Sequence, residues 1–213
     1  MDGAYWRDVF TRALEAVRQW SAEHARGERM LIAFADFNER LRWLGSSSAG
    51  ACPEALGVLA RFDDAVPLLR GKHARGMENL LAGLRESGAR FQSLHETIAS
   101  LHASAWERHA ATPSAAAEAP LHVDAVVGAG RGLAAQQVQM PPPLQCLEWL
   151  QELDRLYGLE LVLKLELIGQ LALGMDPAEL AHAAHLWRMQ PNVRPAVLAR
   201  LESLVASLTL EPT

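Results

Sequence analysis

The sequence predicts an all-α chain, a long antiparallel three-helix coiled-coil bundle completed by a short C-terminal helical hairpin. Three observations lead there. Half of the 213 residues are hydrophobic, and that half is mostly Leu and Ala, which enter helices at little cost. Two Tyr and few β-branched residues argue against sheets. Apolar residues recur in steps of three and four through separate segments, the period of a helix with one buried face.

The first segment, from about Ala4 to Leu44, aligns Trp6, Phe10, Ala13, Val17, Trp20, His24, Gly27, Leu31, Phe34, Asn38 and Leu41 as a heptad seam. His24, Gly27 and Asn38 are its weak points. Gly27 costs about 1 kcal/mol relative to Ala in a helix interior, which predicts a kink or break near His24–Glu28. Gly45-Ser46-Ser47-Ser48-Ala49-Gly50 ends the segment as a loop. The second segment starts near Pro53, and Pro67 splits it into a short helix and a longer one from about Val66 to His109. Met77, Leu80, Leu84, Ser87, Phe91, Leu94, Ile98, Leu101 and Ala105 form its seam, which needs a partner helix.

Residues 110–143 change character. Small, Gly-rich and Pro-rich runs read as a flexible linker by composition. The chain thus divides into N-terminal long coiled-coil helices (1–109), a Pro/Gly/Ala-rich linker (110–143), and a C-terminal helix plus helical hairpin that complete the same bundle (144–213). The third helix, Leu144 to Leu173, carries the stripe Leu147, Leu150, Asp154, Tyr157, Leu161, Lys164, Ile168 and Leu171. From Leu156 onward it is apolar on nearly every side, so either it is the central helix or part of it meets a partner. Asp176-Pro177-Ala178-Glu179 has the form of a helix start, with Asp as N-cap and Pro in the first turn. Gln190-Pro191-Asn192 reads as a turn. A last helix follows from Pro195 to Leu208, with Leu198, Leu201, Leu204, Val205 and Leu208 on one face.

Charge excludes some classes. The net charge is −5, and residues 144–213 hold five bases against nine acids. With no basic stripe, direct nucleic-acid binding is not expected. The most apolar stretch, Leu156–Leu173, holds Glu160, Lys164 and Glu166, which argues against a membrane span. The N-terminus lacks the basic region and apolar run of a secretory signal. Cys52 and Cys146 lack CxxC spacing and read as free thiols.

Catalytic and metal chemistry find little support. His95, His102 and His109 recur every seven residues, about 10.5 Å apart along a helix, too far for one ion; a polar flank beside the seam explains them. His182 and His185 suit one ion, but with Glu179 they fall short of the four ligands of a structural zinc site. Bundle metal enzymes use Glu-x-x-His pairs on two helices, and here Glu179–His182 alone has that spacing. Gly128-Ala129-Gly130-Arg131-Gly132 lacks the strand–helix context of a phosphate loop. No cofactor and no metal are expected. Lys164 stands in apolar register. It reads equally as a snorkelling stem with a wet ammonium or as a polar specifier or contact to an acidic partner.

The run LDRLYGLELVLKLELIGQLALGMDPAELAHAAHLWRMQPNV, followed by LESLV, resembles the cyclin-dependent kinase 2-interacting protein family. Tyr157, Glu160-Leu161, Leu163-Lys164, Leu171-Ala172, Asp176-Pro177, Trp187, Gln190-Pro191, Val193 and Leu201-Glu202-Ser203-Leu204 carry the resemblance. Trp6 in its amphipathic helix adds to it. Gly158, Leu159 and Leu165 depart from it, standing where that family tends to be basic. LEWLQELDRLY, from Leu147 to Tyr157, is similar to the AAA-ATPase-interacting ribosome maturation factor family. Together these resemblances imply a non-enzymatic nuclear adaptor. It would link cyclin-dependent kinase and replication kinase complexes and genome-maintenance signalling to a pair of AAA+ ATPases with a second helical adaptor subunit. That assembly acts in DNA replication and repair and in ribosome maturation. Tyr157, Glu160, Leu161, Lys164, Ile168, Trp187, Gln190 and Pro191 are the partner-binding residues this implies. The alternative is a structural coiled-coil homodimer with no ATPase or kinase partner.

Overall fold

The computed structural model describes residues 3–45, 57–62, 64–112 and 141–209, and the described residues are almost entirely helical. Helix α1 spans Gly3–Gly45. A 3-10 turn covers Gly57–Arg61 and leads into α2, Ala65–Ala111. Pro67 falls in the first turn of α2, where its missing N–H costs no intrahelical bond, so the long helix begins at Ala65 with Pro67 inside it, and what precedes it among the described residues is only the 3-10 turn. Helix α3 runs Pro143–Gln170, α4 Pro177–Met189 and α5 Pro195–Thr209. Most of the linker, the Gly128–Gly132 run and Cys52 lie outside the described residues.

The heptad seams become the core. In α1, Trp6, Phe10, Ala13, Val17, Trp20, Gly27, Leu31, Phe34 and Asn38 are all buried. In α2, Met77, Leu84, Ser87, Phe91, Ile98, Leu101 and Ala105 face them. Met30 against Gly83 and Phe37 against Gly76 fix α1 and α2 as antiparallel neighbours. Leu165 and Ile168 against Gly88, and His95 against Gly158, make α3 antiparallel to α2 in turn.

The C-terminal helices depart from expectation. Asn38 bonds the residues just before α4, Trp187 of α4 sits against Gly27, Gln190 meets Trp20, and Leu201 and Leu204 of α5 close over Phe10. Both helices therefore run down α1 in one direction, end to end, each packed on α1. They do not fold back as a hairpin. They make a broken fourth column antiparallel to α1, and the architecture is an up-down-up-down bundle of three long helices and one interrupted one. Gln190 adopts a left-handed conformation (φ 41°, ψ 60°) and Pro191 follows, so the column stops and restarts there.

Helix α1 is unbroken through His24–Glu28, contrary to the expected break. A Cβ at Gly27 would overlap Trp187 Cζ2. The glycine makes room for an indole, and the packing it admits outweighs its poor helix propensity.

Candidate functional site

Five of the sequence-predicted residues, Tyr157, Glu160 and Lys164 of α3, Trp187 of α4 and Gln190 just beyond it, meet in one cluster inside the bundle. It begins with the spacing of Glu160 and Lys164, one helical turn apart on α3. Both turn inward and both side chains are fully buried, Lys164 in the predicted stripe and Glu160 in the inward place the stripe assigns to Leu161, which is only half-buried. Their charges meet at 3.2 Å. Lys164 Nζ also donates to the Trp187 carbonyl at 2.8 Å and to His24 Nδ1 at 3.3 Å. The same ammonium lies 4.2 Å from the centroid of the Trp187 ring. It thus caps the C-terminal end of α4, where carbonyls lack intrahelical partners and the helix dipole is negative.

Glu160 holds the restart of the column. Its Oε2 accepts from the backbone N–H and the side-chain amide of Asn192, each at 3.2 Å. Trp187 Nε1 donates to the His24 carbonyl at 3.1 Å, and Trp20 Nε1 donates to Gln190 Oε1 at 3.3 Å. Trp20 stacks edge-on against Tyr157 at 5.0 Å. One ammonium and one carboxylate on α3 therefore bind α1, α4 and the turn before α5.

Burial sets the ionisation. The Lys164 ammonium is lowered to about 8 by desolvation, with Glu160 pulling the other way. His24 is lowered to about 4 by burial and then by the Lys164 charge. A neutral His24 accepting from a protonated Lys164 fits both directions. Burial also pushes the Tyr157 phenol above its usual range and the Cys146 thiol up to about 11.

Of the eight sequence-predicted contact residues, Tyr157, Glu160, Lys164, Ile168 and Trp187 are buried within this chain. Leu161 and Gln190 are half-buried, and Pro191 is exposed. The wet-ammonium reading of Lys164 is overturned, since no part of its side chain reaches solvent. Lys164 is taken up inside the fold, and of the predicted contact residues only Leu161, Gln190 and Pro191 reach the surface.

Two further polar ties were not read from the sequence. His95 Nε2 lies 3.0 Å from Asp154 Oδ1, and His102 Nδ1 lies 3.2 Å from Asp154 Oδ2. The predicted polar flank of α2 thus clamps α3. Glu23, buried on α1, accepts from Ser87 Oγ and pairs with Arg26 at 3.2 Å and Arg90 at 3.3 Å. The signal for the central cluster was present in the sequence. His24 and Gly27 interrupt one seam while Lys164 interrupts another, and interruptions on facing helices answer each other; Glu160 gives no such signal, because the predicted stripe runs through Leu161.

His182, His185 and Glu179 are exposed on α4. No group of three or more metal-ligating side chains comes together among the described residues. No described helix is long and apolar enough to cross a membrane.

Compared with known families, the chain matches that described as ribosome biogenesis protein C1orf109-like (CA109-like) over residues 3–207. No curated protein matches it.

Proposed function

The chain belongs to the C1orf109-like ribosome biogenesis family, and from that premise we propose that it is a non-enzymatic helical adaptor that works in ribosome maturation by joining a second helical subunit to an AAA+ ATPase pair. The observation that carries the reading is the outer face of α3. Leu159 and Val162 stand there 47 % and 66 % exposed, beside half-buried Leu161. A helix more apolar than its own bundle requires presents that excess to another protein. The buried charges support the same reading, because Lys164, Glu160 and His24 are taken up in holding helices together.

The resemblance of residues 153–205 to the cyclin-dependent kinase 2-interacting protein family extends the proposal. By it, the adaptor also reaches cyclin-dependent and replication kinases and genome-maintenance signalling, and it resides in the nucleus. Affinity purification of the tagged full chain with mass spectrometry tests both parts. The AAA+ ATPases and a helical subunit are expected among the recovered proteins. Leu159→Glu with Val162→Glu is expected to lower their recovery at least tenfold while the chain keeps its helicity and melting temperature. A monodisperse homodimer by light scattering that recovers neither would instead establish the structural coiled-coil alternative. Recovery of the ATPases without kinases would confine the function to ribosome maturation.

A further inference from the structure

Between α1 and α4 runs an open groove of about 410 Å³. Its floor is small and apolar, with Ala35 from α1 and Ala181 and Ala184 from α4. Ile32 stands at its edge, 47 % exposed. Asp36 and Glu39, one helical turn apart, line the rim. The cations nearby are turned elsewhere: Arg42 pairs with Asp176 at 3.9 Å, Arg188 pairs with Glu28 at 2.7 Å, and Arg40 lies over the Phe37 ring, 6.0 Å from its centroid. Asp36 and Glu39 themselves have no ion-pair partner among the described residues.

We propose that this groove is a docking site for a cationic amphipathic helix of another protein, lying along α1 and α4 with its apolar ridge on the alanine floor and Lys or Arg side chains on Asp36 and Glu39. Small floor residues let a helix axis approach closely, and ridge-into-groove packing is the form such an approach takes. The rim chooses the partner by charge, because a wrong-signed helix would bring carboxylates against carboxylates. A second copy of this chain meeting groove to groove would oppose the two acidic rims. The chain's own segments outside the described residues fit poorly as well. Residues 113–140 carry Arg131 against Glu118 and Asp124, and residues 46–56 carry Glu54 and no base. The inference deepens the adaptor reading by giving the chemistry of one partner and the surface it uses, distinct from the outer face of α3.

Photo-crosslinking reads the occupant directly. The full chain is produced in cells with p-benzoylphenylalanine at Ile32 or Ala181, and the crosslinked peptides are sequenced. The expected product is a segment of another protein whose apolar helical face is flanked by Lys or Arg a turn apart. Asp36→Lys with Glu39→Lys is expected to reduce its yield at least tenfold, with melting unchanged. Crosslinks to a second copy, to residues 113–140 of the same chain or to a segment without cations would overturn the proposal. So would no crosslink at all, or a yield indifferent to the charge reversal. A cationic helix from a protein outside the AAA+ assembly would uphold the groove and leave the assembly reading to the Leu159→Glu with Val162→Glu purification, so the two fail separately.

Discussion

Lys164 and His24 share a hydrogen bond across the core, and both titrate below their ordinary range because burial disfavours their charged forms. The consequences for stability have definite signs. Between pH 6.5 and about 4 the unfolded chain protonates His24 while the folded chain does not, so stability declines as pH falls through that window. Between pH 8 and 10.5 the unfolded chain keeps a proton on Lys164 that the folded chain has released, so stability rises with pH. Each limb is worth roughly 3 kcal/mol at most. Urea midpoints measured from pH 4 to 10.5 should show both limbs. Relative to wild type, His24→Asn should lack the acid one and Lys164→Met the alkaline one. Lys164→Met should also shrink the acid limb, because the ammonium is one cause of the His24 shift. Gly27→Ala gives a sharper contrast at a single residue. Helix propensity favours alanine by about 1 kcal/mol. The Trp187 ring leaves no space for the added methyl, and overpacking of this kind typically costs about 1–3 kcal/mol. A net loss of roughly 1 kcal/mol in denaturant unfolding is the expected outcome, and a gain would mean the indole sits elsewhere.

At the scale of elements, the joint between α3 and α4 hangs on Asn38. Its Oδ1 accepts from Gly174 N at 3.1 Å, and its Nδ2 donates to the Met175 carbonyl at 2.8 Å. Gly174 takes φ 79°, a conformation open to glycine, and Asp176 then caps α4 by accepting from Ala178 N at 2.8 Å. Asn38→Ala leaves two inward backbone groups unmatched and should cost about 1–3 kcal/mol. Hydrogen exchange should show it locally, as faster exchange of the Gly174 amide while the middle of α2 stays protected. Much of this scale was legible beforehand. The seams of α1 and α2 appear in the sequence because burial itself has the helical period, and the start of α4 appears because a cap is a local signature. What was hidden depends on distant residues. Asn38 and His24 look like flaws in a seam until the bonds from Gly174 and Lys164 arrive. Gly27 looks like a breaker until Trp187 fills it. Gln190-Pro191 announces a stop, but nothing local says that the chain continues onward rather than turning back, since that direction is set by Glu160 bonding Asn192.

For the molecule as a whole, four columns alternate in direction, and the fourth is joined to the others in two different ways. Its upper half, α4, is held by Trp187 and the Lys164 cluster. Its lower half, α5, is held by apolar contact of Leu201 and Leu204 with Phe10 and Leu153, with Arg200 reaching Glu152 at 3.8 Å. A chain ending at Arg194 should therefore stay folded and lose stability. Two leucines each contribute roughly 2 kcal/mol on burial, which lowers the melting temperature by about 10 °C in a protein of this size. Circular dichroism should show a helical protein with that lower midpoint. Loss of all cooperative melting would mean that α5 organises the bundle rather than sealing it.

The single ammonium shared by a carboxylate, an imidazole and a main-chain oxygen also restricts how this lineage can drift. Position 164 cannot become apolar alone without stranding Glu160, whose removal in turn frees Asn192. Relatives that abandon the lysine should therefore have replaced positions 24, 160 and 192 as a set, and a chimera that swaps any one of them between such relatives should fold worse than either parent.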